Sequence, residues 1–101
     1  MFKCCSKSSE EAKNLKKLHA FIRTLSDSNR LKILCILQDG PRCVCEIMAA
    51  LKISDKLASH HLKKMKEAGL LHEKRDGNFI HYRLSRAAIQ EYKKEFNQII
   101  K

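Results

Sequence analysis

Cys43 and Cys45 set two thiols one residue apart in the stretch PRCVCEIMAAL, residues 41 to 51, at what reads as the start of a short helix. Thiolate sulfur is the donor that soft ions take: zinc, cadmium, lead and trivalent arsenic. On a regular helix, neighbours two apart point about 200° away from one another. If the first sits at the cap and the second in the first turn, that angle no longer applies and both sulfurs can turn toward one ion. There the positive end of the helix dipole favours thiolate over thiol.

Two sulfurs are too few for a tight site, which takes three or four. Cys4 and Cys5 lie in a polar N-terminal stretch that can fold over to supply one or both. The same sulfurs, Cys43 with Cys45 or either with an arm cysteine, can instead form a disulfide or polysulfide link. The plain alternatives are buried filler for Cys43 and Cys45 and an incidental pair for Cys4 and Cys5. Cys35, inside an apolar run, reads as core packing.

These thiols sit in a chain of 101 residues, enough for one domain with one core. Hydrophobic residues make up 44%, so the chain should fold. The net charge of +10, from 21 basic and 11 acidic residues, points to a polyanion as partner, nucleic acid or an acidic membrane surface. No apolar run approaches the roughly 20 residues needed to span a bilayer, and the opening lacks a signal-peptide core. A cytoplasmic, reducing location follows, where five cysteines, an odd number, are expected as thiols rather than as a disulfide framework.

Periodicity then places the elements. Residues 1–11 form a loose arm and 12–101 the folded domain. Leu15, Leu18, Ile22 and Leu25 mark a first helix with one buried face. Asp27 or Ser28 caps a second, carrying Leu31, Ile33, Leu34 and Leu37 and ending at Asp39-Gly40-Pro41. The third, short, turns Val44, Ile47, Met48 and Leu51 inward. Ser54 caps a fourth, which Gly69 ends. Asp76-Gly77 predicts a hairpin turn, and Ile80, Tyr82 and Leu84 alternate as in a half-buried strand. A last helix from about Ser85 carries Ile89, Tyr92, Phe96 and Ile99, a stripe suited to packing within the chain or to pairing two subunits.

Four helices, a two-stranded hairpin and a fifth helix make a mainly α winged helix-turn-helix, α-α-α-α-β-β-α. The fourth helix should enter the major groove. Ala58, Leu62 and Met65 fall on its inner stripe, leaving Lys56, Ser59, His60, Lys63 and Lys64 outward, with Ser54 at its start. Lysine neutralises phosphate and donates to guanine, and serine and histidine bond base edges or phosphate oxygens. Between Lys52 and Arg86 there are nine basic and four acidic residues. Arg75, near the hairpin tip, can reach the minor groove or backbone. His61, beside the apolar stripe, reads as a packed, hydrogen-bonded histidine. A solvated basic face is the bland alternative for the whole pattern.

The run SDKLASHHLKKMKEAGLLHEKRDGNFIHYRL, with SDSNRLKILCIL and CVCEI before it, resembles the arsenic-repressor/SmtB family of metal-sensing repressors over roughly residues 15 to 100. The resemblance implies a homodimer that holds a twofold-symmetric operator without metal and lets go when a thiophilic ion binds: As(III), Sb(III), Cd(II), Pb(II) or Zn(II). Some members of that family complete the site with arm cysteines, often of the other subunit, and this favours Cys4 and Cys5 as ligands beside Cys43 and Cys45. Others use a cysteine three residues after the pair, a position held here by Met48. A second family site on the last helix needs histidine and carboxylate, and residues 85–101 hold no histidine and no aspartate.

The sequence therefore predicts a metal- or metalloid-responsive repressor, with a thiol-redox or polysulfide-responsive repressor of the same fold as the alternative. Neither an organic cofactor nor a membrane is expected. A thiol enzyme or metal carrier fits poorly. There is no glycine-rich phosphate loop, no C-x-x-C pair and no nucleophile with a positioned base.

Overall fold

Polar side chains close the helix ends where the sequence offers them. Asp27 Oδ1 accepts from the backbone N–H of Asn29 at 2.8 Å and of Arg30 at 3.3 Å, satisfying donors that the first turn leaves open. Ser54 Oγ accepts from Leu57 N at 3.1 Å and Ser85 Oγ from Ala88 N at 3.3 Å. The elements so bounded, in a computed structural model that describes residues 9–100, are α1 (Ser9–Thr24), α2 (Ser28–Ile36) with a 3₁₀ turn Leu37–Asp39, β1 (Arg42–Cys43), α3 (Val44–Leu51), α4 (Asp55–Glu67), β2 (Leu71–Asp76), β3 (Phe79–Leu84) and α5 (Arg86–Ile99). Cys4 and Cys5 lie outside the described residues.

α3 and α4 are joined by Lys52, Ile53 and Ser54 alone. Lys52 takes the left-handed conformation, φ 55°, and Ile53 N–H reaches back to Met48 O at 3.2 Å. α4 ends the same way, with Gly69 at φ 80° and Leu70 N–H bonded to Met65 O at 3.0 Å. This reverse turn drops Leu70 into the core and starts the hairpin. β2 and β3 pair antiparallel from Leu71 opposite Leu84 to Asp76 opposite Phe79, leaving Gly77 and Asn78 as the two-residue turn. Gly77, at φ 62°, supplies the positive φ such turns require.

The core gathers Ile33 and Leu37, Ile47 of α3, Leu62 and Met65 of α4, and Leu70, Leu71, Tyr82 and Leu84 of the hairpin. The helix-turn-helix and wing thus share one apolar centre. Among the described residues no helix is long and apolar enough to cross a membrane.

The structure departs from the sequence reading in several places. A third strand, β1, makes the order α-α-β-α-α-β-β-α and turns the hairpin into a three-stranded sheet, β1-β3-β2. Two residues are too short a run to carry an alternation, so only tertiary pairing defines this strand. Cys35 is exposed, not core. α2 and the 3₁₀ turn after it send Ile33 and Leu37 inward, and Cys35, two residues from each, falls on the opposite side. Leu31 shares that outer side and is also exposed. In α1, Leu18 is buried but Ile22 is exposed; Phe21 instead packs inward, its ring stacked on Tyr92 of α5 at 4.1 Å and 11°. α1 also opens at Ser9, ahead of Ala12.

Candidate functional site

α4 buries Ala58, His61, Leu62 and Met65, and every outward residue named from the sequence is exposed: Lys56, Ser59, His60, Lys63 and Lys64, with Ser54 at the cap. The helix is held by its apolar stripe, so its polar face is free. Ser59 Oγ donates to Asp55 Oδ1 at 3.3 Å, and Lys64 Nζ lies 3.8 Å from Glu67, both ends well exposed. Such contacts exchange readily for a phosphate or a base edge.

His61 is the packed histidine that its place beside the stripe suggested. Its Nδ1 accepts from Arg30 Nε at 3.0 Å, and its Nε2 lies 3.8 Å from Asp27 Oδ1. Arg30 also donates to Thr24 O at 3.3 Å. The start of α2 and the middle of α4 therefore meet at the imidazole, and Arg30 ties the end of α1 to them. Burial holds the His61 pKa below the ordinary histidine value, the Asp27 carboxylate opposing and Arg30 reinforcing that shift. Arg30 had no signal in the sequence, because its role depends on a partner far along the chain.

A second polar cluster ties the wing to α4. Glu73 Oε1 accepts from Lys66 Nζ at 3.1 Å and from the Tyr82 hydroxyl at 3.1 Å. The Lys66 and Tyr82 bonds hold the Glu73 carboxyl below its usual range. Burial and the bond to Glu73 push Tyr82 up to about 12. Arg75 Nε lies 3.7 Å from Glu73 Oε2, but the Arg75 side chain remains 76% exposed, reaching out from near the hairpin tip.

The thiol pair sits where these parts join. Cys43 has extended backbone, φ −80° and ψ 161°, and caps α3; Cys45 lies in its first turn. The regular-helix angle therefore does not separate them, and with Cα atoms 5.4 Å apart their sulfurs are joined as a disulfide. The expectation of thiols holds for Cys35, which is free, and is corrected for Cys43 and Cys45. The reason is geometric: a cap residue and the second residue of the helix aim their side chains to the same side. Cys43 N–H donates to Glu46 Oε1 at 3.0 Å. Cys43 is buried, whereas Cys45 is exposed.

Cys43 also ends β1, where Arg42 pairs with Tyr82 and Cys43 with His81 of the wing strand. Among the described residues, no three histidine, cysteine or acidic side chains are gathered as an ion-holding group. Once reduced, the two sulfurs would fit a thiophilic ion in donor type, but they need further donors.

Residues 27 to 73 match the family described as bacterial regulatory protein, arsR family. An arsenical resistance operon repressor of Staphylococcus aureus is 33% identical over 84 residues, 83% of this chain and 81% of that protein. The cadmium resistance transcriptional regulatory protein CadC of Listeria innocua is 36% identical over 61% of this chain, a match spanning about half (53%) of its own length. Among solved structures, the homodimeric winged helix-turn-helix DNA-binding domain Mb0332 of Mycobacterium bovis superposes with a TM-score of 0.74 at 26% identity, covering 93% of this chain and 87% of that one. With a winged helix-turn-helix fold, a family match over residues 27 to 73 and a relative 33% identical over 83% of its length, the chain belongs to the arsR family of bacterial regulatory proteins.

Proposed function

We propose that this protein is a cytoplasmic transcriptional repressor that holds a twofold-symmetric operator as a homodimer and releases it in response to a thiophilic ion. The observation that carries the reading is the position of Cys43. It is at once the cap of α3, the end of β1 and the strand partner of His81 in the wing.

The DNA-binding half rests on the exposed face of α4. Ser54, Lys56, Ser59, His60, Lys63 and Lys64 meet the major groove, and Arg75 meets the adjoining backbone or minor groove. Two copies place two such helices on successive major grooves, about 34 Å apart. Dimerisation is supported by α1 and α5, which leave Ile22, Phe96 and Ile99 exposed, with Ile100 exposed just past α5, and by the homodimeric Mycobacterium bovis relative.

Reduced Cys43 and Cys45 supply two thiolates, and Cys4 and Cys5 of either subunit supply the rest. The relatives named for arsenical and cadmium resistance support an ion of that class, As(III), Sb(III), Cd(II), Pb(II) or Zn(II). A bound ion would supply strong sulfur bonds at the root of α3. What the chain does with them follows from its own packing. Cys43 cannot shift without disturbing β1, and β1 is hydrogen-bonded to β3, whose other neighbour is β2 of the wing. The first turn of α3 is likewise continuous with the helix that packs on α4. A coupling of about 1–3 kcal/mol between the thiol site and the DNA-reading parts suffices for a regulatory response.

The pairing of Cys43 with Cys45 favours a second reading, in which the signal is oxidation or polysulfide rather than an ion. Cys45 is exposed, as a residue carrying a reactive thiol must be. Gel-shift titration under reducing conditions separates the two. Release of duplex DNA on adding cadmium, lead or arsenite supports the ion reading. Indifference to all three, with release on mild oxidation, supports the redox reading. No response to either would sink both.

A further inference from the structure

Phe79 is the first residue of β3, directly past the turn, and 58% of it is exposed. It does not belong to the core stripe of its strand. Ile80, Tyr82 and Leu84 take the inward parity, whereas Phe79, His81 and Arg83 take the other. Across the hairpin, that outer face continues through Asp76, Lys74 and His72, the register partners of these three. An aromatic ring therefore stands at the far end of the wing, on a face whose stem carries Lys74 and Arg83 and whose edge carries Arg75.

The charge pattern selects the occupant. Cations along the stem suit phosphates. At the tip itself Asp76, opposite Phe79, removes any strong pull on an anion and leaves the ring as the contact group. A surface that is basic along its sides and carries one exposed ring at its point fits duplex DNA approached through the minor groove. There phosphates line both rims, while sugars and base edges line the floor. A second copy of this chain, itself strongly basic, is a poorer match to Lys74, Arg75 and Arg83.

Building on the DNA-binding reading above, we propose that Phe79 is an apolar wedge that the wing inserts into the minor groove beside the α4 site, opening a base step there. Opening a step costs least at flexible pyrimidine–purine steps such as TA and CA. Phe79 thus contributes specificity through the deformability of the step and not through a base hydrogen bond of its own.

The test uses the full-length protein and duplexes selected from a random pool by the wild-type chain. Binding is measured across a salt series, with 2-aminopurine reporting on the step under the wing. Phe79→Ala is expected to weaken binding about tenfold, the effect of losing one buried aromatic contact. It should leave the slope of log affinity against log salt unchanged, because no phosphate contact is lost. The fluorescence rise and the preference for a TA step should vanish with it, and Phe79→Leu should restore most of both. Lys74→Ala should instead lower the salt slope by about one and keep the fluorescence rise. Since Phe79 lies outside the core, the melting temperature of Phe79→Ala should match wild type.

Wild-type affinity and fluorescence in Phe79→Ala would overturn the wedge. So would a change of its salt slope, or a change confined to self-association. A wild-type chain that selects no duplex at low salt would overturn the DNA-binding reading itself, and the wedge with it.

Discussion

α4 and α5 are helices of similar length with equally regular apolar stripes, and the fold treats them differently. α4 buries Ala58, His61, Leu62 and Met65. α5 buries nothing fully: its Tyr92 stacks on Phe21, while Phe96 and Ile99 remain exposed at 42% and 45%. α4, the helix proposed to meet DNA, has its apolar stripe covered by its own chain. The stripe of α5 is only partly covered by the described residues of its own chain. An apolar stripe states that a face will be covered; it does not state by what.

The comparison breaks most readily at Leu62. Leu62→Ala should cost about 2–5 kcal/mol in urea unfolding, because a fully buried side chain is removed from between α4 and the rest of the core. A loss below about 1 kcal/mol would mean that α4 is not anchored as described. Ile99→Asp tests the opposite side. It should leave the secondary structure intact while shifting the sedimentation coefficient from dimer to monomer and weakening DNA binding. Unchanged sedimentation would remove α5 from the subunit interface.

A smaller effect is expected from pH. Burial lowers the folded-state pKa of His61 beneath the ordinary value of 6.5, so the unfolded chain takes up that proton first as pH falls. The stabilising contribution is therefore complete above about 6.5 and is lost as pH drops through that value toward the folded pKa. Protonation at Nδ1 would also set it against the Arg30 donor. His61→Asn keeps an acceptor near Arg30 but cannot titrate. The difference between its urea midpoint and that of wild type should shift between pH 7.5 and 5.5, with wild type losing more. Equal losses would remove His61 from the account.

The smallest effect is expected at Lys64. Its ion pair with Glu67 is exposed at both ends, so Lys64→Ala should change stability by less than about 0.5 kcal/mol while reducing the salt dependence of DNA binding. A large stability loss there would show that the outer face of α4 is structural after all.

Much of the DNA-reading part was legible because its signals are local. Ser54 as cap, the Ala58–Leu62–Met65 stripe and the stop at Gly69 each depend on residues within a few turns, and each stands where the spacing put it. The thiol geometry was legible only as a condition, that Cys43 be a cap, and the backbone meets it. Phe79 carried a weak signal, an aromatic residue out of phase with its own strand. Arg30 and β1 carried none.

The sequence by itself determined the caps of α2, α4 and α5, the hairpin turn, which side of α4 is polar, and that two sulfurs stand at a helix start. Backbone capping and side-chain periodicity are short-range effects, and they operate before any distant segment arrives. Tertiary structure alone decided that Arg42 and Cys43 join the wing sheet, that Arg30 binds His61, and that Cys35, Leu31 and Ile22 face outward despite their apolar runs. Those outcomes depend on which surfaces meet across the fold. Periodicity ranks the faces of an element, and only packing against another element selects which of them is covered.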